Sequence, residues 1–304
     1  MTSDILKQQF EACMLGGAIG DAWGSCFENE IVPDNKTTFY LNPPKQPVRK
    51  WAFTDDTRLT MATCEALYTD GDFDAALLAG MFVRYYKAKR LTGIGASTLK
   101  AIVELEAGAH WSQVGREGEY AAGNGAAMRI APFAFFPNIT RQKLRDACRI
   151  THRNDEAYVG ALAVYLSIKA AISGAWTGEN NLFDLIIPEL PDTRVRDRLI
   201  EINAIHNNSD IRSVALLGNN GYVVNSIPFA IFAATQVYKT GMHEMYKSVI
   251  DAGGDTDTNA SLAGQIAGAV YTNIPAELIS NLKAVDNYEW MMSVVERTKG
   301  CIPA

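Results

Sequence analysis

Apolar residues recur along this chain with the spacing of a helix, and that period constrains the fold more than any other feature. After Asp4, the residues Leu6, Phe10, Met14 and Gly17 fall at i, i+4, i+8 and i+11, a stripe that 3.6 residues per turn keeps on one face. Ser3 or Asp4 is placed to cap that helix. Leu59, Ala62, Ala66 and Leu67 repeat the pattern after Thr54-Asp55-Asp56, and further stripes run over 75–90, 144–150, 157–172 and 262–270. Alternating strands do not flank Asn124-Gly125 or Asn220-Gly221, so hairpins are not expected. Residues 223–232 alone could pass for a strand, and Pro228 within them argues against it. Glycine and alanine crowd two helical stretches, MLGGAIGDA and SLAGQIAGAV. An interior Gly costs up to about 1 kcal/mol against Ala, so their use here implies helix backbones packed closely around a centre.

The chain of 304 residues shows no repeat, low-complexity tract or linker, and one domain over 1–304 is expected. Residues 29–51, with Pro33, Pro43, Pro44 and Pro47, read as a long loop flanking a functional region. With 28 Lys+Arg against 34 Asp+Glu the formal charge is −6, which makes nucleic acid an unlikely partner by lack of a basic excess. Five cysteines without a Cys-x-x-Cys pair argue against disulfides and thiolate zinc. Reduced thiols suit a cytoplasmic location. No run approaches the roughly 20 apolar residues of a membrane span, and the first residues lack a signal layout, so no membrane partner is expected.

Two acidic clusters carry the chemistry: Thr54-Asp55-Asp56-Thr57 and Gly253-Gly254-Asp255-Thr256-Asp257-Thr258. Both sit at predicted helix starts, where caps and the macrodipole favour negative charge. Capping uses one or two such residues, and the second cluster interleaves two carboxylates with hydroxyls behind a Gly-Gly hinge. Carboxylates, hydroxyls and water form a hard-oxygen set suited to Mg²⁺, Mn²⁺ or Ca²⁺. Glu28 is a third acidic candidate, although a single Glu ahead of a polar loop is usually solvated. Gly123-Asn124-Gly125 opens a short loop able to offer N–H groups to phosphate oxygens, without the pattern of a P-loop or a Rossmann turn. His152 stands in a polar segment where a cap or surface role is commoner than ligand contact. No Gly-x-Ser-x-Gly elbow is present, and Cys26 and Cys64 read as small core residues.

In order along the chain, LGGAIGDAWGSCFE at 15–28, FTDDT at 53–57, GNGAAMRIAPFA at 123–134, the His152 segment, GNNGYVVNSIPFA at 218–230 and DAGGDTDTNASLAGQIAGAVY at 251–271 resemble the ADP-ribosylglycohydrolase family. The resemblance implies an all-α, compact, single-domain orthogonal helical bundle with a central cleft holding two Mg²⁺ ions, with Mn²⁺ as a substitute. It implies metal ligation by Thr54, Asp55, Asp56, Asp255, Asp257 and Thr258. It also implies catalysis by Glu28, Asp55 and Asp56, with the general base not decided among them. Substrate contacts are implied for Gly123, Asn124, Gly125, His152, Gly221, Tyr222 and Ser226. The activity implied is removal of ADP-ribose from modified protein side chains, arginine linkages favoured, by a metal-activated water attacking the anomeric carbon through an oxocarbenium-like transition state.

Arg58 departs from the family's pattern, being a cation next to the first acidic cluster that would repel metal, contact phosphate or face solvent. Release of ADP-ribose from a small molecule or nucleic acid is a second enzymatic reading. An immunity protein that binds an ADP-ribosyltransferase toxin is the alternative from another class, and its surface would be the rim with Lys45, Arg49, Lys50 and Trp51. A pseudo-enzyme is disfavoured, because no position of the motifs is lost.

Overall fold

A computed structural model describes residues 3–28, 49–70 and 73–303, and the expected loop over 29–51 falls outside the described residues for 29–48. Fourteen α-helices follow one another among the described residues. They are α1 (Ser3–Gly24), α2 (Asp55–Asp70), α3 (Ala75–Lys87), α4 (Ala96–Glu106), α5 (Arg141–Arg149), α6 (Asp155–Ser173) and α7 (Leu182–Ile186), then α8 (Arg194–Ile205), α9 (Ile211–Ala215), α10 (Val223–Thr235), α11 (Val237–Asp251), α12 (Thr256–Val270), α13 (Ala276–Lys283) and α14 (Tyr288–Cys301). Two-residue strands β1 (Arg116–Glu117) and β2 (His152–Arg153) pair in parallel. Hairpins are missing among the described residues, but this small ladder is too short for any alternation in the sequence to announce it.

The glycine stripes explain the centre. On α1, a Cβ added at Gly16 would lie 2.2 Å from the Gly264 carbonyl oxygen, and one at Gly20 would lie 2.1 Å from that of Ala260. A Cβ at Gly268 on α12 would in turn lie 2.2 Å from the Ala12 carbonyl oxygen. No larger residue lets these two backbones meet. Side chains then tie α1 to its neighbours: the Thr256 hydroxyl of α12 donates to the Gly24 carbonyl at 2.8 Å, and the Tyr246 hydroxyl of α11 to the Gly16 carbonyl at 2.8 Å. One hydrophobic core runs from Phe10 on α1 through Phe82, Phe133, Phe183 and Phe229 to Val295 on α14.

Residues 223–232 lie in helix α10 with Pro228 inside it; as the sixth residue it loses its i−4 hydrogen bond and crowds the Val224 carbonyl, and the segment's burial outweighs that cost. By length and composition α6 could cross a membrane, an exception to the expectation from the sequence, yet 67% of its apolar window is buried, the position of a core helix. Cys64 is in the core as expected, whereas Cys26 is only partly buried and its thiol lies 3.5 Å from the Lys50 carbonyl oxygen.

Candidate active site

Close packing of α1 on α12 has a chemical consequence, because it sets Asp21 of α1 against Asp257 of α12. Asp56, in the first turn of α2, joins them: Asp21, Asp56 and Asp257 are all buried, and each offers a carboxylate oxygen within 4.8 Å of the other two. Asp21 was not singled out from the sequence. It fixes the start of α2 by accepting from the Thr54 N–H at 3.1 Å, the Thr54 hydroxyl at 2.6 Å, the Thr57 N–H at 3.1 Å and the Thr57 hydroxyl. The signal available was a lone charge inside a run of small and apolar residues, the pattern of a carboxylate placed on a buried helix face.

At the second cluster, Gly253 and Gly254 take φ of 72° and 78°, the left-handed region open to glycine. A Cβ at Gly254 would meet the Asn219 carbonyl oxygen at 2.5 Å. The hinge delivers Asp255 to the start of α12, where its carboxylate makes no capping bond and instead accepts from the Asn124 amide at 2.8 Å. Thr54 does act as a cap, accepting from the Asp56 N–H at 3.2 Å, so capping accounts for one cluster in part and for the other not at all.

Burial and mutual repulsion push the acids upward. Burial pushes Asp55 up to about 8, helped by Asp21, and Asp257 up to about 9, helped by Asp255. Asp56 is raised well above the carboxylate range by burial, then by Asp257 and Asp21. Burial also raises Asp21, against the lowering donors from Thr54 and Thr57. At the rim, Glu28 is raised by partial burial and then by Asp255 and Asp21. A divalent cation would resolve this repulsion, and the residues fit one: the donors are all oxygen, the Thr258 hydroxyl lies 3.2 Å from Asp56 Oδ2, and Asp56 Oδ1 is buried with no hydrogen-bond partner.

These acids form one side of a cleft of about 300 Å³ whose wall includes Glu28, Asp55, Asp56, Asp255, Asp257 and Thr258, and, facing them, Gly123, Asn124, Gly125, His152 and Gly221. The Asn124 N–H donates to the Gly221 carbonyl at 3.2 Å, and the Val223 N–H to that of Ala122 at 2.9 Å, so the two glycine segments are stitched side by side. Gly123–Arg129 is a loop of 3₁₀ turns rather than the start of a regular helix. His152 is buried, not a surface residue, and burial pushes it down to about 3 with help from Arg129 and Arg116. The ring is therefore neutral. Arg129 donates to the Thr151 hydroxyl at 2.8 Å, and that hydroxyl lies 2.8 Å from His152 Nδ1. Thr151 thus holds the ring through Nδ1, and Nε2 is the nitrogen beside Gly123 and Gly125.

Three expected site residues stand elsewhere. Ser226 is fully buried in α10 and turns its hydroxyl back to the Tyr222 carbonyl at 3.3 Å, the usual bond of a helical serine; it does not line the cleft. Thr54 reaches the acids through Asp21 and is not in the wall. Tyr222 lies beside the cleft, bridged to Gly123 and hydrogen-bonded to Arg194. Arg58 turns away to the Arg90 carbonyl. Arg116 of β1, in contrast, enters the wall without having been foreseen.

The ADP-ribosylglycohydrolase family matches residues 2–302. This chain belongs to that family. It is a hydrolase of ADP-ribose linkages, and the expected all-α fold is present, with 69% of the structure helical. An uncharacterized protein of Archaeoglobus fulgidus is 28% identical, over 96% of this chain and 100% of its own length. ADP-ribosylhydrolase ARH3 of Danio rerio is 25% identical over 93% of this chain and 88% of its own. ADP-ribosylarginine hydrolase Tri1 of Pseudomonas putida is 27% identical over 93% and 76%. A solved ADP-ribosylglycohydrolase-related protein complex shares the fold, with a TM-score of 0.73 at 23% identity over 99% of this chain and 100% of that one.

Proposed function

We propose that the cleft removes ADP-ribose from modified protein side chains, with arginine linkages favoured, and that it does so with two Mg²⁺ ions. The observation that carries this is the meeting of Glu28, Asp55, Asp56, Asp255 and Asp257 along one wall of a cleft that faces a glycine loop. Asp21, Asp56 and Asp257, with Asp55, Asp255 and the Thr258 hydroxyl, would hold the ions; Mn²⁺ would substitute. Bound there, the ions would supply Lewis acidity at neutral pH toward ribose hydroxyls and water.

The chain's own residues do the rest. The Gly123 and Gly125 N–H groups and the Arg116 guanidinium donate to the diphosphate oxygens, and neutral His152 presents Nε2 to the ligand. Glu28, Asp55 or Asp56 orients or deprotonates the attacking water, and the carboxylate field steadies the positive charge that builds on the ribose. A guanidinium suits an acidic mouth better than a hydroxyl does, which agrees with the arginine named for the Pseudomonas relative. All five cysteines are free, in keeping with the cytoplasmic location proposed from the sequence. The toxin-binding alternative gains no support: Lys50 is paired with Asp286 at 2.8 Å, Trp51 stacks on Trp23, and Lys45 falls outside the described residues.

Proteins ADP-ribosylated through arginine, serine and asparagine test the proposal, with release of ADP-ribose followed in Mg²⁺ and in chelator. Release that is fastest from arginine and lost in chelator is expected. Release unaffected by chelator removes the metal, and no release from any linkage removes the proposed substrate class.

A further inference from the structure

Glu28 joins the row of acids in the cleft wall, yet no hydrogen bond or ion pair among the described residues holds its carboxylate. Its place therefore follows from the backbone that leads to it. Past the end of α1 that backbone makes one tight turn, in which the Cys26 N–H donates to the Trp23 carbonyl at 3.2 Å and the Phe27 N–H to the Gly24 carbonyl at 2.9 Å. The last turn of α1 carries no basic residue, so nothing on the helix itself complements the negative end of its dipole.

Residues 49–52 supply what α1 lacks. Arg49 donates from Nη1 to the Cys26 carbonyl at 3.1 Å, and its guanidinium lies 4.2 Å from the centroid of the Phe27 ring, a cation set over an aromatic face. Behind it the Cys26 thiol lies 3.5 Å from the Lys50 carbonyl oxygen, the Ser25 hydroxyl donates to the Ala52 carbonyl at 3.0 Å, and Trp51 stacks on Trp23 with centroids 5.5 Å apart. Two segments are thus held side by side, one leading to Glu28 and the other, through Phe53, to Thr54, Asp55 and Asp56. We infer that Arg49 is a positioning residue for Glu28: by gripping the Cys26 carbonyl and the Phe27 ring it fixes the Glu28 carboxylate in the wall of acids. Arg49 is not itself in that wall, so it acts through Glu28 rather than on the substrate. A planar fork that donates and stacks at once belongs to arginine and not to lysine. The inference rests on the reading of Glu28 as a group that orients or deprotonates the attacking water.

Steady-state hydrolysis by the full chain in Mg²⁺ tests this, with the linkage that the parent releases fastest among arginine, serine and asparagine, beside Mg²⁺ titration and thermal melting. Arg49→Met should lower kcat by about tenfold to a hundredfold through misplaced geometry while KM stays within about twofold. Its Mg²⁺ affinity and melting temperature should stay near the parent's. Arg49→Lys, which keeps the charge without the fork, should fall between the two, and it keeps the test available if Arg49→Met does not fold. Lys50→Met, at a side chain that pairs with Asp286 at 2.8 Å, should match the parent. In a Glu28→Gln background Arg49→Met should cost little more, because residues that act as a unit are not additive. Additive losses in the double variant, parent-like kcat in Arg49→Met, an equal loss in Lys50→Met, or a loss that follows Mg²⁺ affinity or melting temperature overturns the inference. Full activity in Glu28→Gln removes the role of Glu28 and the inference with it, whereas a slow Glu28→Gln beside a fast Arg49→Met removes the inference alone.

Discussion

Asp21 is the residue on which the acidic wall depends, although it donates nothing and stands in a run of small residues. Two N–H groups and two hydroxyls of Thr54 and Thr57 converge on it, so removing the carboxylate leaves buried donors unpaired and frees the first turn of α2. Asp21→Ala is expected to cost about 3 kcal/mol of stability, measured by denaturant unfolding, and to lower ADP-ribose release to below about 1% of the parent's. Ser226→Ala is the contrasting case. That hydroxyl bonds only its own helix, so KM and kcat are expected to stay within about twofold. Both outcomes run against the reading from the sequence, which passed over Asp21 as part of a packing stripe and placed Ser226 at the ligand. Residue type and spacing exposed Asp55, Asp56, Asp255 and Asp257 because clustered acids are conspicuous, whereas a single buried acid declares itself only when the partner helix is in place. The burial of His152, named as a ligand contact, was hidden for the same reason: its flanks are polar, and the ring packs against Gly123 and Gly125.

At the scale of elements, the contact of α1 with α12 turns a packing pattern into chemistry. The small-residue stripes in MLGGAIGDA and SLAGQIAGAV were legible, and so was their implication of close helices; that each would meet the other was not, because periodicity describes one helix at a time. Gly20→Ala pushes a methyl into the Ala260 carbonyl and is expected to cost about 1–3 kcal/mol by overpacking. It should also weaken Mg²⁺ binding, since Asp21 and Asp257 ride on the two helices. Gly300→Ala on α14, where an added Cβ meets nothing within 4 Å, should be neutral or stabilising by up to about 1 kcal/mol. Chemical denaturation and calorimetric titration of both variants check the pair. The β1–β2 ladder lay beyond sequence reading, two residues being too few to set a period, yet it carries Arg116 and His152 to the cleft.

For the whole molecule, the formal charge of −6 says less than where the acids gather. Asp55 near 8 and Asp257 near 9 hold protons in the metal-free fold that the unfolded chain releases near pH 4. The native state thus binds more protons than the unfolded one between those limits, and stability must fall as pH rises from about 4 toward 9. In chelator the melting temperature is expected to be higher at pH 5 than at pH 8, and saturating Mg²⁺ should raise it more at pH 8 than at pH 5, because the cation binds the ionised acids. Melting curves at the two pH values, with and without the ion, read this directly.

Mn²⁺ located by anomalous scattering in crystals of the full chain tests most directly whether the buried carboxylates form a divalent-cation site. Anomalous density between Asp21, Asp56 and Asp257, extending toward Asp55 and Asp255, is the result expected. A cleft without density at millimolar Mn²⁺, or ions bound only at surface acids, would contradict it.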